Sequence, residues 1–114
     1  MPCMIVHRNF PIEKETIGVL QDRFCTIVEN VLHKPSSYIM VIVDEQKPIR
    51  FGGSDEPALF IELKSIGLPG DSTTLLSSEL CSASEELLSV SRDRIYIEFA
   101  DSPRNLWGWN GGTF

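Results

Sequence analysis

The second residue of the chain is proline, and Met1-Pro2 is the pair from which a chemistry follows. A small residue after the initiator methionine favours removal of that methionine. The chain then begins with a proline whose backbone nitrogen is a free secondary amine, the one backbone group able to act as a base. Pro2 opens the apolar run Pro2-Cys3-Met4-Ile5-Val6-His7, which reads as a strand and not as a loose tail. Burial beside apolar surface disfavours the ammonium form and lowers its pKa. An ordinary α-amino group titrates near ~7.7–8.0, and a secondary amine is somewhat more basic. A modest downward shift therefore leaves a neutral base at physiological pH.

Other reactive residue types are sparse. The three cysteines, Cys3, Cys25 and Cys81, are odd in number and widely spaced. They form no Cys-x-x-Cys pair and give no disulfide framework. They read as reduced residues packed as small apolar groups, which makes a reducing, cytoplasmic compartment the default. With His7 and His33 as the only histidines, no metal site is expected.

The bulk properties bound what such a base can serve. A chain of 114 residues fits one domain, residues 1–114. A core of that size leaves little room for a deep private pocket, and small chains that need one often build it between subunits. The net charge of −6 and the absence of any Lys/Arg run argue against nucleic acid as a partner. No stretch approaches the ~18 apolar residues of a membrane span. The N-terminus lacks the basic and then apolar segments of a secretory signal, so any export would use a non-classical route.

The elements that must position the base fall into two similar halves. Pro2–Arg8 reads as a strand. Glu13–Leu32 carries helical spacing at Ile17, Leu20, Phe24, Ile27, Val28 and Val31. Lys34-Pro35 stops that helix, because proline disfavours the α conformation in the residue before it. Tyr38–Val43 is a continuous run of strand formers, of the kind usually covered on both faces. Asp44–Arg50 reads as connection, and Phe51-Gly52-Gly53-Ser54 as a turn. The order then repeats. Ala58–Ile66 is a strand with Leu59, Ile61 and Leu63 on one face. Asp71 or Ser72 can cap a helix that runs to Ser89 with Leu76, Leu80, Ala83 and Leu87 as its apolar face. Ser91–Arg94 turns the chain into the strand Ile95–Ala100.

Two β-α-β units follow, each with parallel flanking strands and a right-handed crossover. The expected fold is α/β (α+β): a four-stranded mixed sheet with both helices on one face. The other face is then bare, although Tyr38–Val43 is apolar on both sides. Another copy of the chain is the simplest cover, with a hairpin from the tail able to do part of it. The tail, Trp107-Gly108-Trp109-Asn110-Gly111-Gly112-Thr113-Phe114, is too aromatic for a disordered end. Its rings pack against a neighbouring subunit, form a wall for a flat ligand, or do both.

Several motifs stand in one order along the chain: Met-Pro-Cys-Met-Ile-Val at the start, Lys34-Pro35 followed by Tyr38, Phe51-Gly52-Gly53-Ser54 with Glu56-Pro57, Ser65-Ile66-Gly67, Arg94-Ile95-Tyr96, and Trp107-Gly108-Trp109-Asn110 with Thr113-Phe114. Together they make the whole chain resemble the macrophage migration inhibitory factor and D-dopachrome tautomerase family of the tautomerase superfamily. The resemblance implies a homotrimer with sheets inside, helices outside and active sites at subunit boundaries. It implies cofactor-free keto–enol tautomerisation of aromatic α-keto acids of the phenylpyruvate type and of dopachrome-like compounds. It also implies cytokine-like signalling through a cell-surface receptor.

Carried over by position, Pro2 is the catalytic base and Lys34 meets the substrate carboxylate. On its own, Lys34 reads as a cation at a helix C-terminus. Ile66, preceded by Ser65, matches a position whose backbone contacts substrate, and on its own reads as a strand-end core residue. Tyr96 matches a tyrosine supplied by the adjacent subunit. Cys3, Trp107, Trp109 and Phe114 match pocket-wall positions.

The departures are informative. Glu98 stands where the mammalian cytokine has asparagine, and alternation puts it on one strand face with Tyr96. It could repel an anionic ring substituent, accept a hydrogen bond from a phenol, or raise the Pro2 pKa. Trp107 replaces a small aliphatic residue and narrows the pocket. Ala58-Leu59-Phe60-Ile61 replaces the family's Cys-Ala-Leu-Cys segment, so thiol-oxidoreductase activity does not transfer. Ile12 and Gln46 occupy charged positions linked to chemokine-receptor mimicry. The alternatives to a tautomerase are a signalling protein with vestigial pocket chemistry, and a housekeeping enzyme acting on a different enolisable acid.

Overall fold

Period-two burial in the strands and helical spacing in the two long segments build one layered unit. The computed structural model describes all residues, 1–114, in the order β1 (Cys3–Arg8), α1 (Lys14–Leu32), β2 (Met40–Gln46), β3 (Leu59–Ile66), α2 (Thr73–Leu88), β4 (Ile95–Ser102), β5 (Gly108–Trp109) and β6 (Gly112–Thr113). The main sheet has the order β2-β1-β3-β4. Strand β1 runs parallel to β2 and antiparallel to β3, and β3 runs parallel to β4. The expected pair of β-α-β units is therefore present. Both helices lie on one sheet face, where Met4 and Val6 of β1 and Leu59, Ile61 and Leu63 of β3 meet Leu20, Phe24 and Val28 of α1 and Leu76 and Leu80 of α2. No helix is long and apolar enough to cross a membrane.

The halves share their junction geometry. Helix α1 ends at His33 with φ 56°, and α2 ends at Ser89 with φ 55°. Neither residue is glycine, and a left-handed side-chain residue costs about 1–2 kcal/mol. Each end then passes through an extended residue, Pro35 or Ser91, into a 3-10 turn, Ser36–Tyr38 or Arg92–Arg94. The crossover thus reaches the following strand in the same way twice.

Some boundaries differ from the sequence expectation. Tyr38 and Ile39 belong to the turn and its exit, so β2 starts at Met40 and continues to Gln46. The polar residues Asp44–Gln46 stay in the strand because they extend its pairing with β1, past a register shift between Val6 and Arg8. Ser72 precedes α2 but has helical backbone angles, and its hydroxyl donates back to the Pro69 carbonyl. It therefore leaves the first helical amide groups uncapped.

The loop joining the halves is held from inside. The Asn9 amide donates to the carbonyls of Ile49, Asp55 and Glu56, and its oxygen accepts from the Ala58 N–H. Arg94 donates to the carbonyls of Phe51, Ser54 and Glu56. Gly52 and Gly53, at φ 60° and 75°, make the tight reversal between Phe51 and Ser54 that no side-chain residue adopts cheaply.

The sheet face away from the helices is bare, as expected, but it is not uniformly apolar. Met40 and Ile42 are exposed there. Beside them runs a polar chain. His7 Nε2 donates to Glu62 Oε2 at 2.7 Å, Lys47 Nζ donates to His7 Nδ1 at 2.9 Å, and Lys47 also pairs with Asp44. His7 stacks on Phe60 with centroids 5.6 Å apart. The hydrogen bond from His7 holds the Glu62 carboxyl below its usual pKa. Such a group stabilises the fold fully above its ordinary value of 4.5, and that contribution is lost as pH falls through the lower native value. Urea titrations in the acid range should show the parent losing stability below pH 4.5 more steeply than Glu62→Gln. The expected difference is about 0.2–1 kcal/mol, the ordinary worth of a partly exposed charged pair.

Candidate functional site

The N-terminal end of β1 lies at the floor of a cleft. The Met40 N–H donates to the Pro2 carbonyl at 3.0 Å, which continues the β1–β2 pairing to the first residues of the chain. Pro2 is fully buried, while Met1 and Cys3 are half-buried. The 3-10 turn after α1 brings Ser37, Tyr38 and Ile39 to one side, and its first N–H donates to the Glu29 carboxylate at 2.9 Å. The tail closes the other side.

That tail is a hairpin. Asn110 and Gly111, at φ 52° and 81°, form its two-residue loop between β5 and β6. Positive φ at both loop residues is what the Asn-Gly pair accommodates best. The Phe114 N–H donates to the Trp107 carbonyl at 3.2 Å and ties the last residue back to the wall. Trp109 stacks on Phe114, with centroids 5.3 Å apart and ring planes 11° apart, and Tyr38 meets both rings edge-on. The aromatic tail thus packs within its own chain and still leaves Trp109 half exposed to the cleft. The cleft holds about 400 Å³ and is lined mainly by apolar groups. A second, more open concavity of about 450 Å³, at Asn9, Pro48, Ile49, Arg50 and Asp55, divides its lining between polar and apolar groups and carries no aromatic ring. The first has the character of a small-molecule site.

The electrostatics at the floor favour a neutral amine. The chain's first amine, on Met1, has its pKa lowered from 8.0, first by burial, then by Lys34, then by Arg104. Both cations disfavour a further positive charge beside them. Lys34 stands just past the left-handed end of α1 and takes part in no salt bridge within the chain. The Cys3 thiol has its pKa raised, chiefly by burial. It therefore stays protonated and serves as wall, not as nucleophile.

Of the residues singled out in the sequence, Pro2, Cys3, Trp107, Trp109 and Phe114 meet in this cleft, with Lys34 close enough to act on the amine. Ser65 and Ile66 end β3 beside the start of β1, since Cys3 pairs with Lys64, but they do not line the cleft. The Ser65 side chain is fully buried, and its hydroxyl donates to the Ile66 carbonyl at 3.4 Å. Tyr96 and Glu98 share the bare sheet face on β4, an edge strand. Tyr96 is in register with Phe60, which pairs with His7, five residues along β1 from Pro2. Strand spacings put it about 16 Å along and ~10 Å across from the cleft floor. Its ring leans on Phe51 at 4.5 Å and is 64 % exposed. One chain thus leaves Tyr96 and Glu98 turned outward, away from its own cleft.

Sequence reasoning missed Arg104 and Met40, and it offered a tail hairpin as cover for the sheet where the hairpin instead walls the cleft. The Asn110-Gly111 pair was the available signal for the hairpin. Arg104 had none, being one arginine in a polar turn. No group of three or more His, Cys, Asp or Glu side chains is placed to hold a metal ion.

Comparison with known proteins agrees with the fold. The profile of the family described as macrophage migration inhibitory factor (MIF) matches residues 1–114. The chain is 35% identical to macrophage migration inhibitory factor of Meriones unguiculatus, over 100% of this chain and 99% of that protein. It is 32% identical to the macrophage migration inhibitory factor homolog of Trichuris trichiura, over 100% of both chains. The crystal structure of the homologue from Prochlorococcus marinus superposes with a TM-score of 0.91 at 36% identity, covering 98% of each chain. A buried Pro2 at the start of a central strand, two β-α-β units and a full-length profile match lead to one conclusion: the chain belongs to the macrophage migration inhibitory factor family.

Proposed function

We propose that this protein is a cofactor-free keto–enol tautomerase, acting on aromatic 2-oxo acids of the phenylpyruvate type with Pro2 as its base. The observation that carries this reading is the cleft floor, where the first residues of the chain are buried, flanked by two cations and faced by an aromatic stack. Removal of Met1 frees the Pro2 nitrogen. The neutral amine takes a proton from the carbon next to the ketone. The electron pair of that C–H bond becomes the new C=C bond, and the carbonyl π pair moves onto oxygen. The ammonium then returns its proton to that oxygen, which gives the enol and restores the base. Lys34 holds the substrate carboxylate, and the stacked pair Trp109 and Phe114 offers its cleft-facing side to the flat ring.

The active assembly is a homotrimer in this reading, because only an adjacent copy can bring Tyr96 and Glu98 to the cleft. The half-bare sheet, with Met40 and Ile42 exposed, supports such an assembly. Native mass spectrometry should return three times the 12.8 kDa chain mass. Dissociated chains at working concentration would remove Tyr96 and Glu98 from the site.

Phenylpyruvate enolisation, assayed on protein whose intact mass lacks Met1, tests the base. Pro2→Ala and Pro2→Gly should lose about 10²–10⁴-fold in kcat/KM, the usual contribution of a positioned acid–base group. Equal rates in variant and parent would remove the Pro2 amine from the chemistry.

The pH profile carries a sign. A neutral base acts only above its own pKa, and the burial and cations that lower the Met1 amine surround the Pro2 nitrogen too, so activity should rise with pH along a limb lying below that of a free prolyl amine. Lys34→Ala removes a neighbouring cation, so its limb should move to higher pH while KM for the acid rises.

A further inference from the structure

We propose that Glu29 is a positioning residue of this site: its carboxylate clamps the turn that carries Tyr38 and so fixes one wall of the cleft for an aromatic acid. The inference rests on the tautomerase reading for its reaction and on the geometry of the cleft for the clamp.

The clamp closes a short path. Helix α1 ends at Leu32 and the 3-10 turn begins at Ser36, so only His33, Lys34 and Pro35 lie between them. The Ser36 N–H donates to Glu29 Oε2 at 2.9 Å and ties the turn back to the helix across those three residues. Within the turn, the Tyr38 N–H donates to the Pro35 carbonyl at 3.0 Å and the Ile39 N–H to the Ser36 carbonyl at 3.1 Å. These bonds hold the shape of the turn but not its place against the helix. Ser37, Tyr38 and Ile39 line the cleft, and the Tyr38 ring meets Trp109 edge-on at 5.4 Å and Phe114 at 6.1 Å. A shift of the turn therefore moves that ring against the aromatic stack.

The second half uses the same device with reinforcement. Glu85 Oε2 accepts from the Arg92 N–H at 3.2 Å, again seven residues on and again at the first residue of a 3-10 turn. There the Glu85 carboxylate also accepts from the Arg92 guanidinium, from Nε at 3.0 Å and Nη2 at 2.8 Å. The Ser89 N–H adds a bond to the Glu85 carbonyl at 3.1 Å. The end of α1 has neither addition. Ser36 carries no cation, and the His33 N–H makes no backbone bond although His33 takes the strained left-handed conformation at φ 56°. The Glu29 carboxylate is thus the one hydrogen-bonding link between α1 and the turn that borders the cleft. Pro2 is held separately, by β1 and by the Met40 N–H on its carbonyl. Loosening the turn spares the base and disturbs the wall, so the effect falls on KM and not on kcat.

The test measures KM and kcat for phenylpyruvate, together with quenching of tryptophan fluorescence by 3-phenylpropionate, which lacks the ketone and reads binding without turnover. Glu29→Ala should raise KM and weaken 3-phenylpropionate binding by up to about tenfold, the worth of one charge-assisted hydrogen bond, with kcat retained. Glu29→Gln keeps an acceptor for the Ser36 N–H and should keep most of the affinity. Glu79→Ala, the same charge change at an exposed position of α2, should keep all of it. A cycle with Tyr38→Leu reads the route: Glu29→Ala should cost less in that background than in the parent. Glu29→Gln no better than Glu29→Ala, a loss confined to kcat, or equal costs in the two backgrounds overturns the inference. Turnover and binding that ignore Glu29 overturn the clamp and leave the tautomerase reading standing. Glu29-dependent binding of 3-phenylpropionate by a protein inert towards phenylpyruvate upholds the clamp and overturns the tautomerase reading.

Discussion

The structure depends on the chain entering its sheet at once, as an interior strand. Strand β1 lies between β2 and β3, so both of its edges are paired from Cys3 onward. The bond from Met40 to the Pro2 carbonyl extends that constraint to the second residue. Chain ends usually fray because little holds them. Here the first residues share the rigidity of the core, through Met4 and Val6 under the helices. A backbone amine is useful as a base only when it is both fixed and shielded, and an interior strand supplies both conditions.

Around that strand, the repeated β-α-β unit solves a packing problem halfway. Each crossover covers one face of its strands and leaves the other open. The open face then divides its surface between exposed apolar groups near β2 and a hydrogen-bonded polar chain through His7, Glu62, Lys47 and Asp44. The two sets have different requirements. Apolar groups gain from being covered, whereas ionised groups, even paired, lose hydration under a dry neighbour. The loop between the halves is pinned chiefly by Asn9 and Arg94, which keeps Phe51 under Tyr96 at the far edge.

The fold was legible because its signals are periodic. Leu20, Phe24, Ile27 and Val28 mark α1 by spacing, and Leu59, Ile61 and Leu63 mark β3 by alternation. Boundaries were less legible where pairing overrides composition. Asp44–Gln46 looks like loop and pairs as strand, and Tyr38 looks like strand but turns. Pro2 stood out in the sequence as a candidate base because that chemistry belongs to its position in the chain. Lys34 was legible as a site residue only through the family resemblance, since a cation after a helix is common. Arg104 was not legible at all. It acts on the first amine from a turn seventy residues past Lys34, and that proximity is a three-dimensional fact.

Both termini converge on a single hollow. Residue 1 lies at its floor and residue 114 belongs to its wall, where Phe114 stacks on Trp109. Material appended at either end therefore lands in the recognition chemistry, not in solvent. A purification handle on this protein belongs in an exposed internal loop beyond the other end of β1, such as Pro11-Ile12-Glu13.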